Sequence, residues 1–193
     1  MPTRSKAHKP QFEEHVTQGD VFRNVRYNYI DSEDGGGVNV VEFEFPFAVV
    51  ISQACDAIAM DNIIANKKGK PAKFMPSILL CPIYDKIIAK SGTHLSNAFS
   101  ELGLVLESEN IYHGDDYNVA QRDWHYRFHS LEVVINEKSV IKDAIIDFKH
   151  YFTVPMSYLV KNKENRFFHL DDLFAEQISL KFATFLSRVA IPD

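Results

Sequence analysis

The sequence contains little cysteine, no long apolar run and no large excess of charge. Two cysteines among 193 residues are too few for a disulfide framework or an all-cysteine zinc site, which indicates a reducing compartment. Apolar runs such as residues 47–51 fall far below the roughly 20 residues that span a bilayer. The basic N-terminus is not followed by an apolar signal core. We therefore expect a cytoplasmic protein that is neither secreted nor inserted in a membrane.

Composition and charge bound the remaining classes. A net charge of -5 gives no whole-chain attraction to nucleic acid or to anionic membranes, although it leaves room for a local basic patch. Hydrophobic residues make up 46% of the chain and phenylalanine occurs 15 times, so a packed core is expected and global disorder is excluded. We expect a flexible tail over residues 1–15 and a single domain over residues 16–193.

The first half of the chain reads as β-structure. After Gly19, residues 20–29 alternate in polarity, and a glycine-rich turn over residues 31–37 predicts a hairpin with a strand over residues 38–45. Pro46 predicts a bend before a buried strand over residues 47–52. A lysine-rich loop over residues 66–73 then precedes a second buried strand, residues 77–83. We expect these two apolar strands to be neighbours in one strongly curved sheet.

The second half adds helices and a hairpin. A helix of about three turns is predicted after Gly92, from Thr93 as its cap and apolar residues at helical spacing. Extended segments over residues 125–135 and 144–154, separated by a turn over residues 136–139, predict a second hairpin. The clearest helix is the last, whose apolar stripe consists of Phe174, Ile178, Phe182, Phe185 and Val189. Either the sheet of the same chain or a twin subunit covers this stripe.

Three segments in order resemble the signature strands of the MazF/PemK/Kid toxin family. They are Gly19-Asp20-Val21, Pro46-Phe-Ala-Val-Val-Ile-Ser52 and Ile78-Leu-Leu-Cys-Pro-Ile83. The resemblance covers about residues 17–85 and implies an SH3-like β-barrel core. Together with the helical and hairpin additions of an α/β extension over residues 93–193, this predicts a mixed α+β protein. The resemblance further implies a protein that dimerises, cuts single-stranded RNA without a metal and is neutralised by an antitoxin.

The chain departs from the family at its catalytic positions. Phe45 holds the place of the arginine that precedes the proline, and Tyr84 and Asp85 replace the threonine and serine that follow the third motif. An arginine stabilises charge that develops on phosphate oxygens, which phenylalanine does not. The family chemistry therefore does not carry over unchanged to this chain.

A strand end rich in small and polar residues is the main candidate site. We expect Ser52, Gln53 and Asp56 to meet Tyr84 and Asp85 at one sheet rim, with Asp56 or Asp85 as general base. Ser52 and Tyr84 complete the predicted catalytic set. The predicted nucleic-acid contacts are Arg23, Arg26, Gln53 and Arg127.

The candidate residues can also be explained by purely structural roles. Cys55 is compatible with a small packed cysteine beside an Asp56 that caps a turn, because an adjacent carboxylate does not activate a thiol. The arginines fit a solvated strand face, and residues 67–70 fit a solvated lysine turn that could touch phosphates. His125 and His129 would lie about 13 Å apart on a strand, too far to share one metal ion. We expect no cofactor and no metal.

The leading hypothesis is a toxin-like or phage-defence-associated nucleic-acid protein, with metal-independent endoribonuclease as its specific activity. The rival is a non-catalytic interaction or regulatory module that uses the same barrel rim, which the missing arginine and the acidic composition favour. A zinc-dependent hydrolase is a third reading. The expected partner is RNA or an antitoxin-like protein, and a homodimer is compatible with the family resemblance.

Overall fold

The described residues form strands and helices joined by short turns. The computed structural model describes residues 5–11, 14–34, 37–96, 100, 102–105, 126–135 and 137–187. The strands are β1 (Ser5–His8), β2 (Asp20–Asp34), β3 (Gly37–Val50), β4 (Ser77–Asp85), β5 (Phe128–Ile135), β6 (Lys138–Asp147), β7 (Phe152–Pro155) and β8 (Arg166–Leu170). The helices used below are α1 (Ala54–Asn66), α2 (Lys86–Ser91), α3 (Met156–Lys161) and α4 (Asp172–Leu186). The predicted α+β class is confirmed.

The eight strands form one sheet that closes in a ring. Hydrogen-bonded neighbours follow the order β3, β2, β8, β1, β5, β6, β4 and β7, and β3 also pairs with β4. The pairings of the described strands are antiparallel except that of β1 with β5. The predicted neighbourhood of the two apolar strands is confirmed, since Phe47 pairs with Ile83 and Val50 pairs with Leu80.

Successive side chains of the ring strands face two different cores, as the two-residue period of a strand requires. Val49 and Cys81 belong to an inner cluster to which most strands of the ring contribute. Val50 and Leu80 belong to an outer cluster, which α1 and α3 cover with Ala57, Met60, Met156 and Leu159. Strands buried on both faces explain the continuous apolar runs in this part of the sequence.

The hairpin of β2 and β3 is longer than predicted, and its far part extends beyond the ring. The strands pair out to Asp34 and Gly37, so the turn is narrower than residues 31–37. The strands predicted on either side of Pro46, residues 38–45 and 47–52, are one continuous strand, because β3 runs through the proline. Proline lacks a backbone N–H, and the facing Asn24 adopts a φ of 53° and stays outside the paired register. The hydrogen-bond ladder between β2 and β3 is thus interrupted at Pro46, but β3 does not end there.

The last helix confirms the predicted apolar stripe. α4 contributes to the inner cluster through Phe174, Ala175, Ile178, Phe182 and Phe185. The sheet of the same chain therefore packs against this stripe. It is one of the two packing partners that the apolar pattern allows, the other being a twin subunit. The stripe residue Val189 lies outside the described residues. Among the described helices, none combines the length and apolar character of a membrane span.

The N-terminal segment, expected as a tail, is built into the structure where it is described. Ser5–His8 forms β1 between β5 and β8. Arg166 of β8 donates hydrogen bonds to the backbone carbonyl oxygens of Gln11, Glu14 and His15, the last at 2.9 Å. The sparse apolar pattern of the N-terminal segment does not predict these contacts, because backbone groups make most of them.

Several elements are not predicted by the sequence, namely α1, α2, α3 and β8. α1 lies in a region expected to be all β, because its isoleucines also favour strands and its apolar face is poorly defined. Of the helix expected after Gly92, the structure describes a 3-10 turn, Thr93–Leu95, and residues 97–99 lie outside the described part. The second hairpin is confirmed, but β6 starts at Lys138 and a 3-10 turn separates it from β7.

One buried carboxylate joins the N-terminal segment to α1 and to the turn before β8. Asp61, 1% exposed, accepts hydrogen bonds from Val16 N at 2.9 Å and Lys163 Nζ at 2.8 Å. His15 Nδ1 lies 3.3 Å away. Burial alone would raise the pKa of Asp61, but its hydrogen bonds with Lys163 and Val16 outweigh burial and hold the pKa below its ordinary value.

Asp61→Asn should therefore destabilise the protein in a pH-dependent way. We expect a loss of about 3 kcal/mol at pH 7, because the substitution leaves Lys163 without its carboxylate. Because the pKa of Asp61 is lower in the folded protein than in the unfolded chain, its carboxylate stabilises the fold at pH values above the unfolded pKa of about 3.9. This stabilisation is lost as the pH falls from that value through the folded-state pKa. Urea unfolding at pH 7, 5 and 3 should show an equal difference at the first two values and a smaller one at pH 3. Asp56→Asn, an exposed change on the same helix, is the control; an Asp61 effect that is equal at all three values would contradict the assignment.

α4 offers a matched pair of substitutions that test how it packs. Ile178→Ala removes a side chain that is 1% exposed and should lower the free energy of unfolding by about 2–4 kcal/mol. Leu180→Ala, on the same helix but 71% exposed, should change it by less than about 0.5 kcal/mol. Similar small effects of both substitutions in chemical unfolding would show that α4 does not close the core.

Candidate functional site

The end of β4 determines the position of two aromatic rings. Asp85 accepts hydrogen bonds from the backbone N–H groups of Ile87 and Ile88, which caps α2 and ends the strand. Gly92, with a φ of 74°, ends α2 in the left-handed conformation that favours glycine. The following 3-10 turn returns His94 to the end of β4, where its ring centroid lies 4.3 Å from that of Tyr84.

β6 ends as β4 does, at an aspartate whose side chain caps the turn that follows. Asp147 accepts a hydrogen bond from Lys149 N at 3.0 Å and thereby caps the 3-10 turn Phe148–His150. This turn brings His150 Nδ1 to 3.3 Å from the Tyr84 hydroxyl and 3.4 Å from Asp147 Oδ2. Arg127 donates two hydrogen bonds to the Asp147 carboxylate, at 2.8 and 2.6 Å. We call Tyr84, His94, Arg127, Asp147 and His150 the histidine cluster.

Burial keeps both imidazoles of the histidine cluster neutral. Burial, reinforced by the neighbouring His150, lowers the pKa of His94 to about 4. Burial also lowers the pKa of His150, although Asp147 opposes the shift. The pKa of Tyr84 is raised, mainly by burial and further by Asp147. At neutral pH the cluster therefore offers two imidazole lone pairs and a phenol that keeps its proton.

His94 is the least satisfied member of the cluster. Both of its ring nitrogens are buried without a hydrogen bond of good geometry to a described residue. The Ile88 carbonyl oxygen is near enough to favour the protonated ring but does not complete such a bond. His94, Asp147 and His150 each offer one ligand atom, and these three atoms lie within 4.8 Å of one another. An unpartnered buried imidazole costs free energy, which a ligand at this place would recover.

A groove of about 870 Å³ opens beside the histidine cluster. We call it the rim groove. Its walls come from residues 42–47 of β3, residues 83–85 of β4 and residues 140–142 and 144 of β6, together with α2, the 3-10 turn after it and β7. Tyr84, His94 and His150 lie in its lining, and its other aromatic residues are Tyr27, Phe43, Phe45, Phe47, Tyr151 and Phe152. The groove lies where β4 has ended while β3 and β6 continue.

Charge around the rim groove is mainly negative. Glu42, Glu44 and Asp85 line it with a single lysine, Lys142. Arg26 lies 3.9 Å from Glu42 and 3.8 Å from Glu44, but these side chains are more than half exposed, so the pairs contribute little. A polyanion would meet net repulsion at this groove, whereas a cationic ligand would be attracted.

The predicted catalytic residues do not form one site. β3 and β4 are antiparallel, so the end of β3 lies beside the start of β4, where Ser52 Oγ accepts a hydrogen bond from Leu79 N at 2.9 Å. Gln53 and Asp56 are exposed at the start of α1 beside it. Tyr84 and Asp85 lie at the other end of β4, about 20 Å away at 3.3 Å per residue. The expected meeting of these residues at one rim is therefore wrong.

The remaining predicted residues fall into three groups. Tyr84 and Arg127 lie together in the histidine cluster, with the Arg127 charge already paired with Asp147. Arg23 and Arg26 are exposed on β2. Asp85 is the cap of α2. No described contact joins these groups into a single phosphate-binding surface.

Among the described residues, the cysteines and the other histidines take no part in the histidine cluster. Cys81 is fully buried in the inner core, and burial raises the pKa of its thiol. Cys55 is exposed on α1, so the reading of it as a small buried cysteine is wrong. The lysines of residues 67–70 are exposed, as the solvated-turn reading expects. His129 is buried on β5, while His125, and with it the proposed pair, lies outside the described residues.

Sequence reasoning missed His94, Asp147 and His150. The sequence signals were an acidic residue at the end of an apolar run, a histidine three residues after it, and a histidine two residues after a helix-ending glycine. None of these is specific, since their meeting depends on the pairing of β4 with β6.

Comparison with protein-family models, with curated proteins and with solved structures finds no match to this chain. The resemblance to the MazF/PemK/Kid family stays a prediction.

Proposed function

We propose that the protein is an interaction module that binds an extended peptide segment of a protein partner in the rim groove. The observation that carries this proposal is the end of β4 at Asp85, which turns into α2 while β3 and β6 continue along the groove. The bound segment would take the place that a longer β4 would have filled. Neighbouring strands lie about 4.8 Å apart, so one added strand would reach the backbones of both walls if these keep sheet spacing.

Both walls offer backbone groups for such a strand. In the described part of the chain, no strand pairs with the groove side of residues 42–46, because β4 pairs only from Phe47 onward. The pairing of β6 with β4 likewise begins at Ala144, so among the described strands the start of β6 pairs only with β5. Unpaired strand edges are templates for added strands, with backbone hydrogen bonds giving affinity and side-chain pockets giving specificity.

The lining indicates the chemistry of the segment. Aromatic residues along the groove provide apolar contacts for alternate side chains of a strand. Glu42, Glu44 and Asp85 favour lysine or arginine at the positions between them. We therefore propose a partner segment in which apolar and basic residues alternate.

A labelled heptapeptide of alternating valine and lysine is a suitable probe, measured by fluorescence polarisation. We expect saturable binding, weakened at least tenfold by the double substitution Glu42→Lys and Glu44→Lys. The double substitution Glu164→Lys and Glu176→Lys makes the same charge change on exposed positions away from the groove and should have a much smaller effect. Methylation of the peptide backbone nitrogens on one edge should abolish binding, because it removes the strand hydrogen bonds. Binding that survives this methylation, or no binding at millimolar peptide, would overturn the proposal.

The toxin-like or phage-defence-associated endoribonuclease is the second candidate. What favours it is that Tyr84 and Arg127, both predicted from the sequence, lie with two histidines in the histidine cluster beside the groove. General acid–base cleavage of RNA needs groups of this kind close together. The three family-like motifs also lie on β2, β3 and β4, and β3 pairs with both of the others, which supports an SH3-like form of the ring. This candidate needs histidines that are free to exchange protons.

Cleavage of a mixed single-stranded RNA pool tests this second candidate. If it holds, the wild-type protein cleaves RNA and His150→Ala lowers the rate by about 100-fold or more. His15→Ala, outside the cluster, is the matched control and should leave the rate unchanged. A wild-type protein that leaves the whole pool intact would eliminate the candidate.

A further inference from the structure

The histidine cluster carries an inference that does not depend on peptide binding. We propose that His94, Asp147 and His150 bind one divalent transition-metal ion, and that zinc is the ion their chemistry favours. Two imidazoles with one carboxylate form a nitrogen and oxygen donor set that zinc accepts with a fourth position left open. Magnesium and calcium prefer oxygen ligands, which only Asp147 supplies in this set.

The spacing of the ligand atoms is close to what such an ion needs. The three atoms lie within 4.8 Å of one another. Zinc bonds of about 2.0–2.2 Å place ligand atoms roughly 3.5 Å apart, so side-chain movements of about 1 Å would complete the site. His94 and His150 reside on short 3-10 turns rather than in the sheet, where such movements disturb no strand pairing.

Hydrogen bonds from neighbouring residues fix the orientation of Asp147 and His150. Arg127 and the Lys149 N–H fix the Asp147 carboxylate through three hydrogen bonds. The Tyr84 hydroxyl and Asp147 Oδ2 lie 3.3 and 3.4 Å from His150 Nδ1, and these contacts orient the ring. Partners of this kind orient metal ligands and determine which ring nitrogen carries the proton.

The unpartnered nitrogens of His94 are the second independent indication. A histidine that served only packing would need a hydrogen-bond partner at each buried nitrogen, and the described residues provide none of good geometry. An anion would need protonated histidines or a free arginine, and Arg127 is already paired with Asp147.

The open position faces the rim groove, because Tyr84, His94 and His150 belong to its lining. Water or a Lewis-basic group of a bound molecule would complete the coordination there. If the ion is bound, the histidines are ligands, and the second candidate function, which needs them as acid and base, is excluded.

Calorimetric titration of chelator-treated protein with zinc chloride tests the site, and cobalt chloride supplies a second readout in visible absorption. We expect one equivalent of zinc to bind, and cobalt to give the intense bands of a tetrahedral site. His94→Ala should weaken zinc binding at least 100-fold without loss of folding, because His94 holds no described hydrogen bond. Tyr84→Phe should weaken it about tenfold, since it removes only the hydroxyl that orients His150.

His8→Ala is the matched control. His8 lies near His169 and Asp171 at a separate, more exposed place, which offers histidine nitrogens for accidental zinc binding. Binding that is lost in His8→Ala but kept in His94→Ala would overturn the proposal, as would no uptake of zinc at millimolar concentration. Zinc binding and peptide binding are measured separately on the wild-type protein, so failure of the metal site and failure of the peptide site are distinguishable.

Discussion

The double pairing of β4 is the constraint on which the rest of the structure depends. One edge of β4 pairs with β3, and the other edge pairs first with β7 and then with β6. These pairings close the ring and bury Cys81 and Ile83 in the inner core. Because the strand then ends at Asp85, its two neighbours lose their common partner, and the rim groove opens between them.

Two aspartates link the fold to the candidate site. Asp85 ends β4 and caps α2, while Asp147 ends β6 and caps the turn that carries His150. Since β4 and β6 are paired, the segments that follow them lie close together, and His94 meets His150 there. The same capping contacts that stop the strands thus assemble a buried, neutral histidine pair. In a groove lined by aromatic and acidic residues, this favours cationic ligands over polyanions.

The sequence predicts the elements whose patterns are strong and local. The β2–β3 hairpin, the apolar strands and the stripe of α4 follow from residue periodicity, and their burial confirms it. β1 and β8 have no such pattern, because their positions depend on pairing across more than 150 residues. Tyr84 and Arg127 were predicted as site residues, but their partners His94 and His150 arrive on short turns without periodicity. The prediction that Ser52 and Asp85 share one site is wrong, because spacing along the chain does not reveal that the antiparallel pairing of β3 with β4 puts them at opposite ends of β4.

Amide-resolved hydrogen exchange along β3 tests the central claim that the strand has a free edge in the rim groove. The amides of residues 47–50 that face β4 should be strongly protected. Among residues 42–46, those bonded to β2 should be protected, whereas those that face the groove should exchange nearly as fast as in an unfolded chain. Uniform protection from Glu42 to Val50 would contradict the account, because it would mean that the edge is already paired.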